Sequence, residues 1–95
     1  MDRQEMLMDY YRRFRVECNL RMSMIPGVPR EMPFYIYEGA HAAVSKEIRD
    51  EFDLSAEYES AFDGIFEYFN NSLKETDHFG KSDAATSEAL ERGEF

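Results

Sequence analysis

Two glutamate–histidine pairs are the residues whose types and spacing come closest to a chemical site. Two residues separate Glu38 from His41, and two residues separate Glu75 from His78. On a helix this spacing places a carboxylate and an imidazole on one side, and paired Glu-x-x-His motifs hold di-metal centres in helical bundles. Here the first pair falls at a predicted helix start and the second follows a predicted helix end. We therefore predict no metal or cofactor, and keep a di-metal-binding helical protein as an alternative.

No other motif points to catalysis. Cys18 is the single cysteine, and a nucleophilic cysteine needs a base close by, which the neighbouring sequence does not supply. Its place on an apolar stripe indicates a small core residue. The acid-rich segment from Asp50 to Asp63 lacks the glycine that a calcium loop needs at its sixth position. The sequence thus predicts a protein that is not an enzyme, and its cysteine content predicts a reducing, cytoplasmic location.

A run of acidic residues stands out in the C-terminal two-thirds of the chain. Between Asp50 and Leu73 there are seven acidic residues and no lysine or arginine. Three of them, Glu59, Asp63 and Glu67, are four residues apart and share one side of a predicted helix. Like charges at this spacing destabilise a helix by about 0.2–0.5 kcal/mol per pair. We therefore predict that these three residues bind a partner, with a merely solubilising face as the alternative.

The aromatic segment Phe34–Tyr37 is a second candidate surface. It follows Pro33, which favours an extended backbone at the preceding residue, and alternate side chains of an extended chain point to opposite sides. One pair should then be exposed unless helices pack on both sides. Because tyrosine is a common interface anchor, Tyr35 and Tyr37 are predicted to contact a partner.

Charge is distributed unevenly along the chain. Residues 1–30 hold six arginines and four acidic residues, whereas residues 31–95 hold five basic and sixteen acidic residues, and the whole chain carries −9. We expect nucleic acid and anionic membranes to repel such a chain, and a basic protein surface to attract it. An alternative is a small nucleic-acid-binding regulator that uses its N-terminal arginines, Arg12, Arg13, Arg15 and Arg21.

Helical periodicity extends through most of the sequence and predicts a mostly α fold of three to four helices in one domain, residues 1–95. The first helix should continue to Met24, buried on two sides, before a proline-rich break. The second is predicted over 39–53, the third from the N-cap Ser55 to Lys74, and a short fourth over 83–92 after the N-cap Ser82. A long aromatic connection joins the first two helices.

An α+β fold is the alternative. From Phe14 to Met24 every second residue is apolar, and strict alternation is a strand signal. Residues 14–24 would then pair with 33–37 as a hairpin.

The function we predict is that of a small acidic regulator or inhibitor that binds another protein. Its short, acidic sequence without catalytic motifs resembles the general profile of phage-encoded inhibitors, including anti-CRISPR proteins and DNA mimics. This is a likeness of class and not of particular residues. It implies a host partner with a basic nucleic-acid-binding surface. From the charge we expect no direct contact with nucleic acid and no membrane, and a homodimer is left open.

Overall fold

The computed structural model describes residues 2–24, 38–52 and 56–95. These residues form four helices, α1 (Arg3–Met24), α2 (Glu38–Arg49), α3 (Ala56–Thr76) and α4 (Phe79–Glu91), and no strand occurs among them. The prediction of a mostly α fold with three to four helices is confirmed. The aromatic segment with Tyr35 and Tyr37 lies outside the described residues, as does the predicted N-cap Ser55.

Helix α1 is one continuous helix, so the predicted α+β alternative is wrong for residues 14–24. Asp2 caps its first turn, since its carboxylate accepts a hydrogen bond from the backbone N–H of Glu5 at 2.8 Å. One stripe of α1 is buried and holds Leu7, Tyr10, Tyr11, Phe14 and Cys18. The helical stripe outweighs the alternating pattern because it buries three aromatic rings at once.

The expectation that α1 is buried on two sides is also wrong. Val16 is 47% exposed and Leu20 is 51% exposed, and both lie away from the buried stripe. Among the described side chains of α1, the buried ones lie along one stripe, and Met8 and Val16 are exposed on another side.

Aromatic rings from three helices form the centre of the core. Tyr10 of α1 stacks on Phe62 of α3, with ring centroids 4.3 Å apart. Phe14 meets Phe69 edge to face at 5.3 Å, and Phe69 meets Phe79 of α4 at 5.4 Å. Helix α3 lies at the middle of this arrangement, which confirms that its predicted apolar face is the main packing surface. That face consists of the buried Ala61, Phe62, Ile65, Phe69 and Leu73, with Tyr58 and Phe66 partly buried beside them.

A tight corner joins α3 to α4. Asp77 has a φ of 50°, a left-handed conformation that ends α3 and that aspartate tolerates better than most residues. His78 then caps α4, because its Nδ1 accepts a hydrogen bond from the backbone N–H of Lys81 at 3.1 Å. Ser82, which we predicted as the cap, lies buried inside the first turn, so α4 begins four residues earlier than predicted. Gly93, at φ 74°, follows the helix as the predicted stop.

The end of α4 is tied to the start of α1. The side-chain amide of Gln4 donates to the carbonyl of Leu90 at 2.7 Å, and Arg3 donates to a backbone oxygen of Phe95 at 2.6 Å. Phe95 itself packs edge to face on Tyr68 of α3. None of the described helices has the length and apolar character required to cross a membrane.

Candidate functional site

The three acidic residues predicted on α3 all lie at its exposed surface. Glu59, Asp63 and Glu67 succeed one another at four-residue intervals, on the side away from the buried stripe. We call these three residues the acidic row. The structure corrects one part of the expectation, because the row is not wholly without a basic neighbour. Arg49 of α2 forms an ion pair with Asp63, whereas Glu59 and Glu67 form none within the described part of the chain.

The N-terminal arginines are held by acidic residues of the same protein. On α1, Arg12 contacts Asp9 at 2.6 Å. The other three reach across to neighbouring helices or beyond them: Arg13 to Glu51 at 2.6 Å, Arg15 to Asp83 at 3.7 Å, and Arg21 to Glu47. Such exposed pairs contribute little stability, but each one places a carboxylate where a phosphate would have to bind. This arrangement disfavours the alternative of nucleic-acid binding through these arginines.

Pairing of basic residues leaves an excess of exposed carboxylates. Seven of the described basic residues form ion pairs with carboxylates, namely Arg12, Arg13, Arg15, Arg21, Arg49, Lys74 and Arg92. Among the described residues, the exposed carboxylates without an ion pair are those of Asp2, Glu5, Asp50, Glu59, Glu67, Glu75 and Glu91. Glu59 and Glu67 of the acidic row are two of these seven, and both lie on α3.

The two members of the first glutamate–histidine pair lie in different environments. Glu38 is half-buried at the start of α2 and forms an ion pair with Lys74 at 3.1 Å. His41 is only 1% exposed and its ring lies edge-on to Phe14, Phe69 and Phe79. Burial lowers the pKa of His41, and this outweighs the opposing effects of an Asn70 hydrogen bond and of Glu38. His41 is a core residue rather than an accessible ligand.

The second pair, Glu75 and His78, is also separated from any metal-binding role by its structural position. Glu75 lies in the last turn of α3 and His78 lies beyond the corner, where its Nδ1 caps α4. A nitrogen that accepts a backbone hydrogen bond is not available to a metal at the same time. Among the described residues, no group of three histidine, cysteine or acidic side chains is placed to hold a metal ion.

Buried tyrosine and cysteine groups also lack the properties of a reactive site. Burial raises the pKa of Cys18 to about 12, which suppresses the thiolate that a nucleophile requires. Burial likewise raises the pKa of Tyr10 to about 12, and its hydroxyl shares a hydrogen bond with the buried hydroxyl of Ser45. Tyr11 donates to the carboxylate of Asp83 at 2.7 Å. These polar groups hold helices together inside the protein.

The exposed apolar side of α1 was missed by the sequence analysis. Met8, Val16 and Leu20 are 45%, 47% and 51% exposed and are the large apolar side chains most open to solvent among the described residues. A groove of about 600 Å³ runs beside Met8 between α1 and α4. The alternation from Phe14 to Met24 was the signal for this surface, since it placed apolar residues off the core stripe.

Comparisons with family models, with curated proteins and with solved structures found no match to this chain. Function must therefore be inferred from the charge and shape of the described surfaces. Two surfaces remain after the core residues are set aside. They are the acidic row on α3 and the apolar side of α1.

Proposed function

We propose that this protein is a small protein-binding regulator that docks the acidic row of α3 on a basic surface of its partner. The proposal rests on two observations: Glu59 and Glu67 are exposed and form no ion pair within the described ranges, and the arginines of α1 are engaged elsewhere. Complementary charge of this kind mainly accelerates association and selects the partner.

Buried aromatic residues anchor the helix that carries the acidic row. Phe62 and Phe69, on the opposite side of α3, are fully buried among rings of α1 and α4. A helix anchored in this way presents its outer side chains on a rigid base, which lowers the entropic cost of binding. Both like-charge pairs of the row include Asp63, so the ion pair with Arg49 offsets their repulsion, which in an isolated helix costs about 0.2–0.5 kcal/mol per pair. The support for docking therefore comes from the exposed Glu59 and Glu67.

More specifically, we propose that the protein is an inhibitor that occupies a nucleic-acid-binding surface of its partner. Carboxylates four residues apart are about 6 Å apart along a helix axis, a scale on which they can stand in for backbone phosphates. The partner would then be a host protein with a basic groove, as for the DNA-mimic and anti-CRISPR classes of phage inhibitor. Such a partner should lose nucleic acid when this protein binds.

Three baits test the proposal in affinity purification from the source cell. The first is the parent protein, and the second carries Glu59→Gln, Asp63→Asn and Glu67→Gln. The third is a control with the same net charge as the second, made by changing the exposed Glu5, Glu88 and Glu91 to Gln. We expect a partner that the parent and the control retain and that the second bait loses. Circular dichroism should give equal helicity for all three.

A competition experiment with nucleic acid then tests whether this protein occupies the nucleic-acid-binding surface of its partner. The purified partner is loaded with labelled nucleic acid, and each bait protein is titrated into the complex. Displacement by the parent and the control, but not by the neutralised row, supports occupation of the nucleic-acid surface. Retention of the same partner by all three baits would contradict docking through the acidic row.

A further inference from the structure

A histidine holds the first turn of α4 in place. The Nδ1 atom of His78 accepts a hydrogen bond from the backbone N–H of Lys81 at 3.1 Å. The first N–H groups of a helix have no partner within the helix itself, so the imidazole supplies an acceptor that the backbone lacks. Serine, threonine, aspartate and asparagine are the usual residues at this position, and none of them ordinarily changes charge near neutral pH. The N-cap of α4 therefore differs chemically from the usual ones.

The ring of His78 lies directly on the backbone of the helix that it caps. A side chain at Gly80 would place its Cβ 3.1 Å from Cε1 of the imidazole and 3.4 Å from Nδ1, and the first of these distances is shorter than ordinary van der Waals contact. Glycine at this position thus leaves room for the capping ring. Glycine is also a weak helix former, so this turn depends on its cap more than a turn of strong helix formers would.

The cap also positions a ring of the core. Phe79 follows His78 as the first residue of α4, and its ring lies 5.4 Å from that of Phe69 and 6.4 Å from that of His41. At the other end of α4, Gln4 donates to a backbone carbonyl of the last turn and ties the helix to α1. Loss of the cap therefore loosens α4 from its first turn, where Phe79 enters the core.

Protonation of the ring removes this cap. A neutral imidazole has one nitrogen that accepts and one that donates, whereas both nitrogens of an imidazolium donate. The charged ring cannot accept a hydrogen bond from Lys81, and its positive charge is unfavourable at the positive end of the α4 dipole. Histidine is the side chain whose charge ordinarily changes between about pH 5 and 8. The hydrogen bond is thus present with the neutral ring and is lost as the pH falls.

The other charged side chains at this corner belong to three elements. Lys74 and Glu75 lie in the last turn of α3, Asp77 forms the corner and Lys81 lies in the first turn of α4, and all four are exposed. Glu38 of α2 reaches the same end of α3, where it pairs with Lys74 at 3.1 Å. Carboxylates and lysines ordinarily titrate outside the range of about pH 5 to 8, so the change of charge at the corner in this range comes from the imidazole.

We propose that His78 is an acid-sensitive N-cap, which holds the first turn of α4 closed when its ring is neutral and releases that turn when its ring is protonated. The effect is local, because it acts on one N–H group and one turn. The proposal does not depend on the proposed function, since the acidic row lies on α3 and takes no part in the cap.

The N-cap of α1 provides an internal control. There the carboxylate of Asp2 accepts a hydrogen bond from the backbone N–H of Glu5, likewise three residues further on, at 2.8 Å. This bond lowers the pKa of Asp2, so Asp2 stays charged in mild acid and keeps its hydrogen bond. Amide exchange with solvent, measured by NMR for Lys81 and Glu5 at about pH 7.5 and about pH 5.5, compares the two caps within one protein.

We expect the protection factor of the Lys81 amide to fall at least about fivefold between these pH values, in step with the titration of the His78 ring protons, while that of Glu5 stays constant. His78→Asn keeps a side-chain acceptor that does not titrate, so the protection of Lys81 should become independent of pH in this variant. Equal protection of Lys81 at both pH values in the parent would overturn the proposal. A fall that persists in His78→Asn would also overturn it, because another group would then be responsible.

Discussion

Arg49 of α2 pairs with Asp63 of α3, the central carboxylate of the acidic row. The arginine side chain is mostly covered, whereas the aspartate is about half exposed. The pair joins two helices and also neutralises one of the three charges through which we propose that the protein binds its partner. The Arg49–Asp63 pair therefore links the stability of the fold to the electrostatics of the proposed docking surface.

Replacement of Arg49 by Gln should strengthen the negative field of the acidic row. The substitution removes the cation beside Asp63, so association with a basic partner should become faster and more sensitive to salt. Rates measured by stopped flow at low and high ionic strength check this expectation. Arg92→Gln is the control, because Arg92 pairs with Glu88 and Glu94 and its loss changes the net charge equally. Equal acceleration by both variants would mean that only net charge matters.

Loss of an aromatic ring from the core side of α3 should be severe. Phe62→Ala and Phe69→Ala should each lower the free energy of unfolding by about 3–5 kcal/mol, because each leaves a cavity where a fully buried ring stood. That is a large part of the stability of a small domain. Chemical denaturation with a constant m-value measures the change. Phe66→Ala on the same helix is the comparison, and should cost less because Phe66 is only partly buried. An equal loss in all three would contradict the assignment of the core side.

Mild acid should destabilise the protein through His41. Its pKa is lowered in the folded state, so between the folded and unfolded pKa values the unfolded chain binds the proton and the folded chain does not. Stability should therefore be full above about pH 6.5, the unfolded value, and decline as pH falls toward the folded pKa, by at most about 1.4 kcal/mol per pH unit.

Denaturation at pH values between about 7.5 and 5.5 measures this decline, in a range above most carboxylate titrations. His41→Leu should flatten the dependence, because it removes the titrating group from the core. A parent slope that survives in His41→Leu would show that another group is responsible.

Several elements could be predicted because their signals are local. The apolar spacing of Phe62, Ile65, Phe69 and Leu73 predicted α3 and its buried side, and all four residues are buried. Leu7, Tyr11, Phe14 and Cys18 predicted α1 in the same way. The start of α4 was placed too late because the cap there is a histidine, and Ser82 offered the more usual signal. Ser82 is instead buried in the first turn.

Other features depend on residues that are distant in sequence. Nothing near Asp63 in the chain predicts its pairing with Arg49, since α2 supplies the arginine only after the helices pack. Similarly, His41 follows Glu38 at metal-ligand spacing, but three phenylalanine rings from α1, α3 and α4 surround it. Burial therefore makes His41 a core residue, although its spacing from Glu38 suggests metal binding.

The sequence by itself determined that the chain is helical, which side of α1 and α3 is apolar, and that acidic residues prevail after the first thirty positions. Periodicity and composition can be read from the sequence itself, and they do not depend on which helices pack together. The tertiary structure alone decided which charges remain unpaired and which apolar residues remain exposed. Asp63 is paired because α2 brings Arg49 beside it, and Cys18 is buried in the core whereas Val16 is exposed. Burial and ion pairing both require contact between segments, so the pairing of Asp63 and the exposure of Val16 emerge only when the four helices are assembled.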